Sequence, residues 1–278
     1  MVSFRAACVQ LCTGTKIDSN LDIAEALIRE AARDGCAYIQ TPEQTATMEM
    51  SRTALMAILS EQEDDDGLRR LQALAQELRI WLHIGSMSFR TVDPVTGEPK
   101  AANRSILIGP DGEVVATYNK IHMFDVDLEN GESYRESASF EAGDKAVVAD
   151  LPWGRLGLSI CYDLRFAALY RALCKQKGAS VLAIPSAFTH RTGKAHWDVL
   201  MRARAIENGA FVIAAAQGGV HENGRKTFGH SLIVDPWGAI LAQAGEEPCF
   251  IAADIDMARV ASCRQSVPSL THDRVFEI

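Results

Sequence analysis

The chain has 278 residues, 47% of them apolar, and carries 28 Lys and Arg against 36 Asp and Glu, for a net charge of −8. That apolar share is too high for a disordered chain, and the negative balance argues against nucleic acid or an anionic membrane as the main partner. No stretch approaches the roughly 20 apolar residues of a transmembrane helix, Arg5 alone is a poor basic flank for a signal peptide, and 7 irregularly spaced cysteines predict reduced thiols in a cytosolic protein.

The first apolar run, 4–9, reads as a strand. A helix follows over about 21–33, with Asp18 or Ser19 as its cap and Gly35 as its C-terminal glycine. A strand is predicted at 37–40. The acidic run 61–66 reads as a solvated loop leading into a helix with Leu68, Leu71, Leu74, Ala75 and Leu78 on one face. Strands are predicted at 81–86, 105–108, 114–118 and 156–161, then a helix through Leu169 and Leu173. Further strands are predicted at 181–184, 211–215, 232–234, 240–242 and 250–255. Strands interleaved with helices predict an α/β architecture, taken as a single domain over residues 1–278.

Two patterns occur twice. Gly35-Cys-Ala-Tyr-Ile-Gln-Thr-Pro42 resembles Gly178-Ala-Ser-Val-Leu-Ala-Ile-Pro185: a helix ends at Gly, a strand follows, and Pro closes it. Ile106-Leu-Ile-Gly-Pro-Asp-Gly112 resembles Leu232-Ile-Val-Asp-Pro-Trp-Gly238, and each precedes a returning β-run, as in a hairpin. Copies at similar offsets suggest two related halves, giving two sheets packed together and covered outside by helices.

Cys161 ends a β-alternating run just before a helix-like stretch. There its thiol would lie on the sheet's carboxyl edge, where backbone N–H groups favour a thiolate and a developing oxyanion. Glu43 ends one strand in Thr41-Pro42-Glu43, and Lys120 follows another in Tyr118-Asn-Lys-Ile-His-Met-Phe-Asp125, a loop that continues to Glu136. Taken singly, a buried structural cysteine and solvated surface charges would also fit.

Taken together, Glu43, Lys120 and Cys161 with their surrounding strings resemble the Glu-Lys-Cys triad of the nitrilase superfamily of carbon–nitrogen hydrolases. The resemblance runs from Ala6-Ala-Cys-Val-Gln10 to the closing segment. It is most specific in Tyr118-x-Lys-Ile-His-x-Phe-Asp125 and Ile160-Cys-Tyr-Asp-Leu-Arg-Phe166. It implies a four-layer α-β-β-α sandwich, a homodimer and no cofactor, with Glu136 where the family often has a second glutamate. Pro185-Ser-Ala-Phe188, Ala195-His-Trp197, Arg202-Ala-Arg-Ala-Ile-Glu207, Ala214-Ala-Ala-Gln217 and Gly229-His-Ser231 resemble the deaminated glutathione amidase branch more than the ω-amidases. One departure is Arg165-Phe-Ala-Ala-Leu169, where relatives often read Arg-Phe-Pro-Glu-Leu.

The implied chemistry is coherent. Cys161 would attack an amide carbonyl, with Glu43 taking the thiol proton and returning it to the leaving nitrogen. Lys120 and the Tyr162 backbone N–H would hold the oxyanion, and Glu136 would orient Lys120 or the substrate amide. This asks for a Glu43 pKa raised by burial and partly opposed by Lys120. The implied products are 2-oxoglutarate and cysteinylglycine. The alternatives are an ω-amidase acting on 2-oxoglutaramate or a similar monoamide, and a catalytically idle binding protein. Arg165 would pair either with the substrate carboxylate or, structurally, with Asp163 or another acid. A Cys–His hydrolase using His122, His190, His196 or His230 lacks a supporting string. Metal binding by Cys8 and Cys12 or by His190 and His196 lacks a second ligand pair, so no metal is expected. Arg202, Arg204 and Glu207 should form a charge network on one helix, and Trp153, Trp197 and Trp237 should pack the sandwich or an interface.

Overall fold

The computed structural model describes residues 2–128 and 131–277. The first half contains β1 (Ser3–Gln10), α1 (Ile17–Arg33), β2 (Tyr38–Gln40), α2 (Arg52–Ile58), α3 (Asp66–Leu78), β3 (Trp81–Val92), β4 (Pro99–Ile108) and β5 (Val114–Asn119). A connecting region holds the short strands β6 (Asp125–Asp127), β7 (Ser133–Arg135) and β8 (Phe140–Glu141). The second half contains β9 (Val148–Leu151), β10 (Gly154–Leu158), α4 (Ala167–Lys175), β11 (Val181–Ala183), α5 (His190–Asn208), β12 (Phe211–Ala214), β13 (Gly218–Val220), β14 (Lys226–Phe228), β15 (Leu232–Val234) and β16 (Ile240–Gln243). β17 (Cys249–Asp256) and α6 (Ala258–Ser266) follow.

One sheet has the order β17-β1-β2-β3-β4-β5 and the other β16-β15-β12-β11-β10-β9. In the first, β1, β2 and β3 are parallel, and β4 and β5 return antiparallel. In the second, β10, β11 and β12 are parallel, and β15 and β16 return antiparallel. An antiparallel strand, β17 or β9, flanks the first strand of each set. Alternation along β1 assigns the layers: Ala7 and Val9 pack outward with Leu21, Ala24 and Ile28 of α1 and Leu71 of α3. Phe4, Ala6 and Cys8 face inward onto the second sheet, whose other face is covered by Leu169 and Leu173 of α4 and by Trp197 and Met201 of α5. This is the expected α-β-β-α sandwich.

Both hairpins of the repeat form, with a register shift at the equivalent place, between Leu107 and Ile108 and between Ile233 and Val234. Three local expectations need correction. α1 starts a turn early, at Ile17, because Ile17 packs on the outer core; neither Asp18 nor Ser19 caps it. The acidic run is no simple loop: Gln62–Asp64 forms a 3-10 turn, and Asp65 caps α3 by accepting from the Leu68 N–H at 2.8 Å. The strand toward Cys161 ends at Leu158, since the Ile160 N–H turns away to the Asp163 carboxylate at 2.8 Å. Trp153 stacks on Phe4 and Trp197 is buried, whereas Trp237 is 62% exposed and takes no part in the core.

Candidate active site

The carboxyl ends of β2 in one sheet and of β10 and β11 in the other face a common cleft. Beyond β2 the chain turns sharply at Glu43-Gln44, with Gln44 at φ 59°. A bulge in β3 holds this turn. Ser86 N donates to Pro42 O at 3.2 Å, Thr45 N to Ser86 O at 2.9 Å, and Gln44 N to Ser86 Oγ at 2.9 Å. The bulge needs Gly85: a Cβ there would sit 2.1 Å from Thr41 O and 2.4 Å from the Pro185 ring, where the two halves meet.

The turn drives Glu43 into the interior, where it is 4% exposed. Its Oε1 accepts from Lys120 Nζ at 2.8 Å and from Asn103 Nδ2 at 2.9 Å, and its Oε2 accepts from the Ala187 N–H at 2.9 Å. Lys120 leaves β5 between two backbone clamps, Lys120 N to Asn103 O at 3.0 Å and Gly143 N to Lys120 O at 2.7 Å. Its ammonium also donates to both oxygens of Glu136, at 3.0 and 2.8 Å. Asn103 completes the network by donating to Glu136 Oε1 at 3.1 Å.

Cys161 stands opposite, at φ 49°, left-handed backbone that costs a non-glycine residue about 1–3 kcal/mol. Several bonds hold it there. Its N–H donates to Pro185 O at 2.9 Å. Fully buried Asp163 accepts from Ile160 N, from the Tyr118 hydroxyl at 2.7 Å, and from His122 N at 3.1 Å, and its Oδ1 lies 2.6 Å from His122 Nδ1. Arg204 Nε donates to Leu164 O at 2.9 Å, and Arg204 pairs with Glu207, as expected of their helix. Arg202 instead binds Gly238 O. His122 stacks on Phe166 with ring centres 3.5 Å apart, so it braces the turn through Asp163.

Burial and the Glu43 charge push the Cys161 thiol well above its ordinary range, against the Lys120 charge and the Ala187 N–H. Burial alone would raise Glu43, but the charge and hydrogen bond of Lys120 overcome it and hold the carboxyl below its usual range. The expected upward shift of Glu43 is therefore reversed: an ammonium 2.8 Å away outweighs desolvation. Burial would lower Lys120, but Glu136 and Glu43 together hold it above its ordinary range. The resting site is a thiol facing an ionised, fully hydrogen-bonded carboxylate and an ammonium.

These groups line a cavity of about 280 Å³, together with Tyr162, Arg165, Phe188, Tyr134, Met48 and Arg225. Arg165 does not pair with Asp163, whose oxygens are already taken. Its guanidinium donates to His196 Nδ1 at 3.2 Å and lies over the Tyr162 and Phe188 rings. The proposed metal pairs do not converge: Cys8 is fully buried, Cys12 faces Val220 O, His190 lies 3.5 Å from Glu246, and His196 meets Arg165. Among the described residues no cluster of three or more His, Cys, Asp or Glu side chains could hold a metal ion, and no helix is long and apolar enough to cross a membrane. Sequence reasoning did not anticipate that Asn103 and the Ala187 N–H bind Glu43 or that Arg225 lines the cavity. Asn103 precedes the predicted strand 105–108, beside Arg104 and Ser105, and left no signal of its own; nor does a backbone N–H.

Comparison with known proteins gives the family and the fold. Residues 5–265 match the carbon–nitrogen hydrolase family. A deaminated glutathione amidase from Synechocystis is 44% identical over 99% of this chain and 100% of its own. The mouse omega-amidase is 35% identical over 99% of this chain and 96% of its own. The crystal structure of Saccharomyces cerevisiae Nit3, described as a member of branch 10 of the nitrilase superfamily, superposes with a TM-score of 0.84 at 31% identity, covering 99% of this chain and 97% of its own. The chain belongs to the carbon–nitrogen hydrolase family.

Proposed function

We propose that this carbon–nitrogen hydrolase is a thiol amidase that cleaves deaminated glutathione to 2-oxoglutarate and cysteinylglycine, with Cys161 as nucleophile, Glu43 as proton carrier and Lys120 as oxyanion partner. The observation that carries the chemistry is the buried Lys120–Glu43 pair, 2.8 Å apart, lining one cavity with buried Cys161. The substrate reading is supported by the 44% identical deaminated glutathione amidase.

The displaced pKa values shape the steps. With the thiol raised and Glu43 lowered, a free thiolate is scarce at rest, so proton transfer from Sγ to Glu43 accompanies C–S bond formation. That bond passes the negative charge from sulfur to the carbonyl oxygen, within reach of Lys120 and the Tyr162 N–H. Protonated Glu43 is then a strong acid, suited to a poor leaving group such as an amine. The C–N bond breaks as the nitrogen takes that proton. Water next adds to the thioester with Glu43 as base, the acid departs, and the proton returns to sulfur. Glu136 and Asn103 hold Lys120 and Glu43 in place between these steps.

The same reading includes a cytosolic setting, which the seven unpaired cysteines support, and a homodimer, for which exposed Trp237 offers apolar surface; light scattering at micromolar concentration decides the latter. The substrate test measures primary amine and ammonia released from a panel of 2-oxo acid amides. Faster cleavage of the dipeptide amide is expected. Faster release of ammonia from 2-oxoglutaramate would favour the ω-amidase alternative. Absence of turnover together with absence of selective labelling of Cys161 by a thiol probe would identify an idle binding protein.

A further inference from the structure

We propose that Arg225 forms a second carboxylate subsite, one that takes the free carboxylate of the departing amine. This rests on the substrate reading above and adds to it the end of the substrate that leaves first.

Arg225 is firmly anchored. It follows the turn 221–224, where the His221 N–H donates to its carbonyl at 2.8 Å and its own N–H donates to Asn223 Oδ1 at 3.0 Å; Asn223 in turn donates to Met48 O at 2.6 Å. Its guanidinium is left underused. Nη2 donates to Ala187 O at 2.7 Å, Nη1 meets only the sulfurs of Met48 and Met50, at 3.4 and 3.9 Å, and the group lies 5.6 Å from the Tyr134 ring centre. Among the described residues, buried Nε has no acceptor. Among the described residues no carboxylate pairs with Arg225, whereas the other cations lining the same cavity include Lys120, bound to two glutamates, and Arg135, bound to Asp127. A guanidinium held in a pocket with spare N–H donors and no carboxylate paired with it among the described residues is built for an incoming anion, and its planar fork matches a carboxylate.

Its position assigns which carboxylate. Ala187 joins Arg225 to the proton carrier, accepting from Arg225 through its carbonyl and donating to Glu43 Oε2 through its N–H. The leaving nitrogen must reach Glu43 to be protonated, so the amine extends from Glu43 toward Arg225. Arg165, the other guanidinium of the cavity without a carboxylate partner among the described residues, sits four residues past Cys161, beside the acyl end. Two such guanidiniums suit a substrate with a carboxylate at each end and an amide between them. An amide releasing ammonia would leave Arg225 unmatched.

The test compares three amides of one 2-oxo acid on the wild type, Arg225→Gln and Arg225→Lys: an acyl dipeptide with a free carboxylate, the same compound ending in a carboxamide, and the primary amide. The wild type is expected to favour the free acid over the carboxamide by about 10- to 100-fold in kcat/KM, the scale of one charge-assisted hydrogen-bond pair. Arg225→Gln should bring that ratio close to one, mainly through KM, and Arg225→Lys should restore part of it. The subsite is overturned if the ratio survives in Arg225→Gln, if all three substrates lose equally, or if Arg165→Lys and not Arg225→Gln abolishes the ratio. Wild-type preference for the primary amide would instead overturn the substrate reading, without reference to any variant. Melting temperatures of both variants separate loss of the subsite from loss of the fold.

Discussion

The two halves of the molecule share a frame and differ in what hangs from it. Each has three parallel strands followed by two antiparallel ones, a left-handed glycine where a helix ends (Gly35 at φ 83°, Gly178 at φ 75°) and another in the hairpin turn (Gly112 at φ 83°, Gly238 at φ 87°). Each closes its middle parallel strand with a proline, Pro42 or Pro185. After Pro42 comes Glu43; after Pro185 come Ser186 and Ala187, whose N–H binds Glu43. The first half and its trailing loop bring Glu43, Asn103, Lys120 and Glu136, and the second brings Cys161, the Ala187 N–H and the guanidiniums of Arg165 and Arg225, which have no carboxylate partner among the described residues. The lesson is one of assembly: the repeated frame supplies two opposed strand ends, and the site exists only where the halves touch.

That division of labour breaks most completely at Cys161. Cys161→Ala is expected to lower kcat by about 10⁴-fold or more while leaving the melting transition in place, since the remaining groups act only on a bound nucleophile. Parent-like turnover in the purified variant would remove Cys161 from the mechanism. Lys120→Met comes next, at about 10²-fold or more in kcat, the cost of one oxyanion donor. It also leaves Glu43 and Glu136 without their shared cation, so its melting temperature should fall as well. A change confined to KM would make Lys120 a binding residue only.

Much of this comparison was legible in the sequence because glycine and proline leave their marks where backbone geometry is special. The paired Gly-to-Pro segments and paired hairpins announced the repeat, and Cys161, Glu43 and Lys120 each stand one to three residues past a strand. What was not legible depends on contacts between distant segments. The fate of Arg165 turned on Asp163, which is occupied by Tyr118 and His122 from the other half. The direction of the Glu43 shift depended on a 2.8 Å approach that spacing cannot reveal. Short strands such as β13 and β14 carry too few residues for a periodic signal and form because each pairs with the other.

The comparison sharpens at Arg165, which we propose serves the acyl end. Arg165→Lys keeps the charge and loses the fork, so turnover of an acidic 2-oxo amide should fall about 10- to 150-fold, far more than that of a neutral amide of equal length. Equal losses on the two substrates would make Arg165 a brace for Tyr162, Phe188 and His196 instead. The acid limb of kcat/KM should lie below the ordinary glutamate range, because Glu43 must be ionised and its pKa is lowered. A limb near neutrality would mean that Glu43 is released from Lys120 in the working enzyme.

The smallest expected effect tests the seam between the halves. Fully buried His83 lies between the sheets, its Nδ1 2.8 Å from the Tyr38 hydroxyl and 3.0 Å from Gln40 Nε2, its Nε2 2.6 Å from Ser105 Oγ. Gln40 accepts in turn from the Ala215 N–H of the second sheet at 3.0 Å. The amide N–H of Gln40 can only donate, so Nδ1 accepts and the ring is neutral with its proton on Nε2. Burial lowers the His83 pKa to about 3, while in the unfolded chain it is about 6.5. Unfolding therefore takes up a proton between these values. The stability His83 contributes is whole above about pH 6.5 and drains as pH falls toward 3, by at most about 1.4 kcal/mol per pH unit. His83→Gln removes that proton uptake, so the stability gap between wild type and variant, measured by urea unfolding at pH 7, 6 and 5, should change steadily in the variant's favour on acidification. A gap independent of pH would place the acid sensitivity of the fold elsewhere, and an imidazole seen by NMR to charge near pH 6.5 in the folded protein would show that the seam admits water.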